Sequence, residues 1–355
     1  MTGIPPSPTR VPFEALREFI ARCLQAAGLP AADAATVARL MAEADLQGSD
    51  GHGVIRLAPY VRRIRNGGIK LEPNIRVAQE RAATALLDGD NAMGHLVMSR
   101  AAQIAVDKAR QCGIGWVGSR LSNHAGPASL YARMPLAAGM IGLYFAVGNA
   151  NHLPPWGGVE MLLSTNPIAA AIPAGDEPPI VLDMATTVAA YGKVKARAQR
   201  GEAMPEGWMI DRQGRPLTDP KRADEGFLLP IGGYKGYGLA LLVGLLAGTL
   251  NGAAMGRQVI DFNQDETTIT NTGQAVAAID PAAFGDPAAF RAAVDTLVRD
   301  LRGSAKMPGH ERIWLPGEQS LERRTAYARD GIPLPPALLA ALARLAGELG
   351  VAPLA

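Results

Sequence analysis

His52 and Arg56 are the first pair in the chain whose types and spacing suit chemistry on a small anion. Along a helix, a separation of four puts both side chains on one face about one turn apart. The guanidinium can hold a carboxylate through two parallel hydrogen bonds. The imidazole, which titrates near neutrality, can give or take a proton at the oxygen or nitrogen on the neighbouring carbon. A helix-capping histidine beside a solvated arginine is the other reading of the same spacing. The run Gly232-Gly233-Tyr234-Lys235-Gly236-Tyr237-Gly238 sets a lone lysine in a glycine-rich turn that opens an apolar helix. A cation and free amides at a helix N-terminus suit a phosphate or carboxylate, although an ordinary turn has the same composition. Asn123-His124 with Gly126, and Ser164-Thr165-Asn166-Pro167, place polar groups beside expected strand ends, where α/β domains gather ligand contacts and where simple turns also occur.

Three better-known signatures are absent or out of context. Gly113-Ile114-Gly115-Trp116-Val117-Gly118 spells the glycine pattern of dinucleotide loops, but it follows a helical stretch, and the next acidic residue is Glu160, far beyond the expected interval of about 20 residues. A helix C-cap glycine leading into a strand accounts for it. No phosphate-loop string occurs. The histidines at 52, 95, 124, 152 and 310 show no metal-ligand spacing and no cysteine beside them, so no metal is expected. Met161 and Met184 read most simply as core.

The elements that must position these groups follow from periodicity. Phe13, Leu16, Phe19, Ile20, Cys23 and Leu24 mark a first helix that Gly28 and Pro30 end. A second carries Val37, Leu40, Met41 and Ala44 with Asp33 as its expected cap, and a third is expected from about His52 to Asn66-Gly67-Gly68. From about residue 72 the texture becomes α/β: strands are expected at 84–87, 113–117, 141–147, 168–172 and 180–182, with helices at 98–112, 126–138, 186–200 and 236–250. The tail returns to helix near 281–302 and 335–349, joined by a stretch rich in Arg, Gly and Pro.

Composition excludes some partners. Lys and Arg number 35 against 33 Asp and Glu, so nothing favours nucleic acid or an anionic membrane surface. The uncharged run from Gly236 to Gly256 approaches the roughly 20 residues of a membrane span, but its glycines, Thr249 and Asn251 favour a buried core helix. Cys23 and Cys112 sit in helical stretches as free thiols, and Met1 to Arg10 lacks a basic region followed by an apolar run, so the expected location is the cytoplasm.

Taken in order, these pieces resemble the type-2 malate/L-lactate dehydrogenase family, which includes diketogulonate and Δ1-piperideine-2-carboxylate reductases and ureidoglycolate and sulfolactate dehydrogenases. The resemblance covers almost the whole chain. It rests on Ala44-Asp45-Leu46 through His52-Gly53-Val54-Ile55-Arg56-Leu57; Ser122-Asn123-His124; Pro155-Trp156-Gly157-Gly158 through Ser164 to Ala169; Ile180 to Thr186; Pro205-Glu206-Gly207-Trp208; Gly232 to Gly238; and Leu315-Pro316-Gly317-Glu318. It implies an α/β fold that is not Rossmann: a mostly antiparallel NAD(P)-binding sheet domain over 75–299, and a helical substrate and dimerisation domain from 1–74 with 300–355. A homodimer is expected.

By the same resemblance, hydride passes between NAD(P)H, either cofactor being possible, and C2 of a small 2-oxo or cyclic 2-imino acid. His52 would be the proton donor, with Asp183 supporting it and raising its pKa, and Arg56 and Thr165 would touch the substrate carboxylate and its neighbours. His124, Ala125, Gly126, Pro127, Ala128, Asn166, Met184, Ala185, Lys235, Gly236, Arg312, Pro316, Gly317 and Glu318 would meet the cofactor. One departure stands out. The family usually has Ser-His-Gly where this chain has Gly51-His52-Gly53, so a hydroxyl is missing unless Ser49 or Asp50 replaces it. A nucleotide-binding homologue with impaired catalysis is the alternative.

Overall fold

The computed structural model describes residues 8–354, so most of the amino-terminal stretch read for a leader lies outside the described residues. α1 (Phe13–Ala26) and α2 (Ala31–Leu46) form as the apolar spacing predicts, burying Leu16, Phe19, Ile20, Cys23 and Leu24 from one and Val37, Leu40, Met41 and Ala44 from the other. α2 opens after Pro30, so Asp33 lies in its first turn instead of capping it. The third helix, α3 (Leu57–Arg65), starts later than expected; a 3-10 turn, Val54–Arg56, precedes it and His52 lies in the loop before that.

α4 (Gly94–Cys112) begins a turn earlier than its periodicity suggested. The remaining helices are α5 (Ser129–Ala132), α6 (Tyr191–Arg200), α7 (Tyr234–Ala247), α8 (Pro287–Gly303), α9 (Glu318–Asp330) and α10 (Pro336–Leu349). The helix expected over 126–138 is therefore the single turn of α5 followed by a 3-10 turn, Met134–Ala138. α9 occupies the stretch expected to be a linker.

Seven strands make the central sheet, in the order Arg76–Glu80, Thr84–Asp88, Ile114–Ser122, Thr272–Ile279, Ile141–Ala146, Ile168–Ile172 and Ile180–Met184. All neighbours are antiparallel except Thr84–Asp88 and Ile114–Ser122, which are parallel and joined across the sheet by α4. This is the mostly antiparallel, non-Rossmann sheet that was expected. Thr272–Ile279, at its centre, has no alternation in its sequence because α4 covers one face and α7 the other. Gly113 adopts φ +80° as the C-cap of α4, and a Cβ on Gly115 would lie 2.0 Å from the Ala105 carbonyl oxygen. Those glycines seat helix on strand.

One apolar core joins α1, α2 and α3 to α10 and reaches Met93 and Phe262; a second lies between α4 and the sheet. Among the described residues no helix is long and apolar enough to cross a membrane.

Candidate active site

The loop carrying His52 is held from behind by Asp45, near the end of α2. Its carboxyl accepts from the Val54 amide at 2.7 Å and so opens the 3-10 turn. A Cβ at Gly53 would fall 2.0 Å from Asp45 Oδ1, which is why glycine follows the histidine. Burial pushes the Asp45 carboxyl up to about 8, against the pull of the Val54 amide, and Asp50 adds to the rise.

His52 and Arg56 do not share a helical face, because the intervening backbone is a turn. They are brought together differently: Arg56 Nε donates to the Gly51 carbonyl at 2.8 Å and Nη1 to Asn263 Oδ1 at 3.0 Å. His52 is half-buried with its Nδ1 turned inward, sealed and without a hydrogen-bond partner. Desolvation first, then the Arg56 charge, lowers its pKa to about 4, so the ring is neutral at pH 7.

His124, which follows the strand Ile114–Ser122, stacks on His52 with ring centroids 5.4 Å apart and planes 14° from parallel. Its Nδ1 lies 2.5 Å from the Tyr60 hydroxyl, and the Gly126 amide points to the same nitrogen at 3.4 Å. Two donors at Nδ1 leave the proton of His124 on Nε2. Phe262 packs against both His124 and Tyr60, at 5.7 and 5.8 Å. His95, on the first turn of α4, meets Tyr60 edge-on at 5.6 Å and is fully buried. Tyr60, His95, Phe262 and Asn263 were not anticipated. Tyr60 read as helix core, His95 as one of five scattered histidines, and the 256–271 loop carried no pattern.

Asp183 does not touch His52. It projects from the sheet-edge strand Ile180–Met184 and accepts from the Ser129 amide at 2.8 Å; burial raises its pKa, opposed by the Ser129 hydroxyl and amide. The expectation that it raises the pKa of His52 therefore gives way to the opposite shift. A longer link exists: Gln47 Nε2 donates to Ser129 Oγ and to Ser49 Oγ, both at 3.2 Å, and the Ser49 carbonyl accepts from the His52 amide. Ser49 is thus tied to Gln47, and the charge opposed to Asp50 is Arg323. At Gly51 itself a Cβ would meet nothing within 4 Å.

The residues expected to meet a cofactor gather around the strand Ile180–Met184. The segment His124–Ala128 leads into Ser129, which bonds Asp183. Met184 and Ala185 continue the strand to Thr186, whose amide and hydroxyl both donate to the Thr165 carbonyl at 2.9 Å. The Thr186 carbonyl in turn accepts from Ile231, at the start of the glycine turn before Lys235 and Gly236. On the strand's outer edge the Val181 amide donates to the Pro316 carbonyl, and Gly317, at φ +93°, packs on Val181. Asn166 is committed inward, its oxygen to the Gly148 amide and its nitrogen to the Ala240 carbonyl. Glu318 is likewise engaged by Arg302 at 2.8 Å and Arg312 at 3.3 Å; against the desolvation of burial, the Leu315 amide and then these two arginines hold its carboxyl below the usual range. Lys235 is exposed and enters no ion pair among the described residues. Among those residues no three His, Cys, Asp or Glu side chains converge as a metal site.

Comparison with known proteins places this geometry. The family model described as malate/L-lactate dehydrogenase matches residues 11–343. A malate dehydrogenase of Pyrococcus horikoshii is 38% identical over 351 residues, covering 96% of each chain. An NAD(+) ureidoglycolate dehydrogenase of Escherichia coli K12 is 35% identical over 91% of this chain and 92% of its own length. An NADP(+) (2R)-3-sulfolactate dehydrogenase of Chromohalobacter salexigens is 34% identical over 74% and 78%. Among solved structures, the P. horikoshii malate dehydrogenase superposes with a TM-score of 0.90, at 35% identity over 99% of each chain. A Δ1-piperideine-2-carboxylate reductase from Pseudomonas syringae superposes at 0.83, at 29% identity over 95% and 99%.

Proposed function

The chain belongs to the malate/L-lactate dehydrogenase family, and from that premise we infer that it is an NAD(P)-dependent oxidoreductase acting at C2 of a small 2-oxo or cyclic 2-imino acid. The observation that carries the reading is the meeting of His52, His124 and the Arg56 guanidinium at one partly sealed site on this fold.

Arg56 is braced by Gly51 and Asn263 through two of its nitrogens, and Nη2 is the donor that can take up a substrate carboxylate. The bound nicotinamide supplies or accepts the hydride. His52 moves the proton: neutral at pH 7, it can accept one from a 2-hydroxy acid as hydride leaves C2. In the reductive direction it must first be charged, and a substrate carboxylate that neutralises the Arg56 field favours that state. Thr165 would flank the substrate. The free Lys235 cation and the amides opening α7 suit the cofactor's pyrophosphate, which is the fit this chain offers a dinucleotide. His124 to Ala128, Met184, Ala185, Gly236 and the 312–318 segment would line the rest. Either NAD or NADP is compatible with named relatives.

We assign 1–74 with 300–355 to a helical substrate domain and 75–299 to the cofactor domain, on the support of one apolar cluster centred on α1, α2, α3 and α10 and another between α4 and the sheet. A cytoplasmic location is supported by two free cysteines.

The test is initial rates with NADH and NADPH across pyruvate, oxaloacetate, diketogulonate and Δ1-piperideine-2-carboxylate. At least one pair should turn over, and His52→Ala should lower its kcat by roughly 100-fold or more, the scale of general acid–base catalysis. Undiminished turnover in that variant would remove His52 from its role. Cofactor binding without turnover, with activity gained by Gly51→Ser, would instead support the impaired homologue.

A further inference from the structure

We propose that Arg302, on the last turn of α8, is a positioning residue for the cofactor: it holds Glu318 so that the 315–318 turn stays seated on the strand Ile180–Met184, and thereby sets how tightly NAD(P)H binds. The proposal rests on the reading of the 312–318 segment as a cofactor contact.

Asp295, Arg299 and Arg302 are spaced by four and three, which puts them in one row along α8, beside the buried Val294 and Val298. The row grips the turn between the strands Ile168–Ile172 and Ile180–Met184. Asp295 accepts from the Gly175, Asp176 and Glu177 amides at 2.9, 2.8 and 3.1 Å. The two oxygens of Glu177 are divided between the arginines, one accepting from Arg299 Nε at 3.0 Å and the other from Arg302 Nη1 at 2.9 Å. Arg302 then donates from Nη2 to Glu318 Oε1 at 2.8 Å. One guanidinium therefore joins the hairpin that carries Asp183 to the start of α9. The Glu177 and Glu318 side chains are 16% and 10% exposed, so solvent and salt screen these pairs less than open surface pairs. Arg302 first and Arg299 second hold the Glu177 carboxyl below its usual range.

Glu318 passes this anchorage to the backbone that meets the cofactor. Its other oxygen accepts from the Leu315 amide at 3.1 Å, and its own amide donates to the Leu315 carbonyl at 3.2 Å, which closes the 315–318 turn. The closed turn directs the Pro316 carbonyl to the Val181 amide at 3.0 Å and lays Gly317 on Val181 so closely that a Cβ there would come within 2.9 Å of the Val181 carbonyl oxygen. Arg312 also touches Glu318, at 3.3 Å, but it lies in the same segment, pairs with Glu322 and packs on Trp314, so it does not fix the segment to anything outside it. Arg302 supplies a side-chain anchor from another element. A contact segment ordered before its ligand arrives loses less freedom on binding, so the effect falls on affinity.

Equilibrium titration of the full chain with NADH and with NADPH, followed by the coenzyme's own fluorescence, reads this without turnover. Arg302→Met should raise the Kd of the preferred cofactor roughly 10-fold, the size of coupling found within one ion-pair network. At saturating cofactor its kcat and its substrate KM should stay within about twofold. Arg302→Lys, whose ammonium can meet one carboxylate but not span two, should fall between wild type and Met, and it reads the same effect if the methionine variant does not fold. Glu318→Ala should weaken binding as well, and adding Arg302→Met to it should cost little more, because the arginine acts through that carboxylate. A folded Arg302 variant with a lower melting temperature and a wild-type Kd would make the network merely structural and overturn the proposal. Losses that multiply in the double variant would overturn it too. Wild-type protein that binds neither cofactor would bring down the cofactor reading and the proposal together, a result distinct from both of those.

Discussion

At the scale of single residues, the site is built from groups held away from their usual charge states. Burial lowers His52 to about 4 and His95 to about 3, and holds His124 well below its ordinary 6.5. An unfolded chain takes up these protons below pH 6.5 while the folded one refuses them, so the imidazoles' contribution is intact above 6.5 and is lost as pH falls toward about 4. Asp45 runs the other way. Its folded pKa of about 8 against an ordinary 3.8 gives stability at low pH that is withdrawn as pH rises from about 4 to 8. Three imidazoles outweigh one carboxyl, so these groups together set a stability maximum near pH 6.5. Chemical denaturation across pH should show a steep acid limb, flattened in His95→Phe, and a shallow alkaline limb, absent in Asp45→Asn. An alkaline limb that survives in Asp45→Asn would mean that another group causes it. Gly53→Ala should be the most damaging small change: the methyl would lie inside the Asp45 carboxyl, so the His52 turn must move. Stability should drop by about 2 kcal/mol or more, with activity lost alongside it; an alanine variant with wild-type stability would refute that account.

At the scale of elements, what was legible in the sequence was whatever a single period announces. α1, α2, α4 and α10 declare themselves by spacing, and the strands Thr84–Asp88, Ile114–Ser122, Ile141–Ala146, Ile168–Ile172 and Ile180–Met184 by β-rich runs bounded by turns. Thr272–Ile279 was invisible because a strand covered on both faces has no reason to alternate, and α9 because it buries no residue and so carries no apolar stripe. His52 and Arg56 were legible as a pair, but through the wrong geometry, since the periodicity could not reveal that Asp45 bends the backbone into a 3-10 turn. The 256–271 loop shows the same limit. Its position is set by Arg63, 1% exposed, whose guanidinium donates to the carbonyls of Asp265, Gly68 and Thr268 and lies 4.9 Å from the Phe262 ring. A helix-borne arginine gives no sequence hint of such a task. Arg63→Met should leave the Asp265 and Thr268 carbonyls without donors, and Gly68 with Asn91 Nδ2 alone, and destabilise the fold by about 3 kcal/mol or more. It should also raise KM for the substrate more than it lowers kcat, because Asn263 is one of the two braces on Arg56. A variant with KM unchanged would show that the loop keeps its place without this anchor.

At the scale of the whole molecule, the distribution of apolar surface argues for a second copy. α7 buries Ala240, Val243, Gly244 and Ala247 against the sheet, all small, while Leu242, Leu245 and Tyr234 are 52%, 44% and 62% exposed, with Leu250 just beyond at 64%. A helix apolar all round belongs in an interior, yet half of this one is uncovered, and no charge occurs from Gly236 to Gly256 to keep it in water. An uncharged apolar run of this kind favours a core helix, and the inner face agrees. The outer face is the one that needs a partner, and a homodimer through α7 would satisfy it while setting the Lys235 turn near the subunit boundary. Leu242→Asp with Leu245→Asp should therefore convert a dimer to a monomer in sedimentation velocity, with the circular dichroism spectrum retained because neither side chain is in the core. Cofactor affinity should weaken in the same variant, since the amides that open α7 belong to the helix the interface would steady. A dimer that persists with both aspartates in place would move the interface elsewhere, and a monomer with wild-type cofactor affinity would detach the Lys235 turn from it.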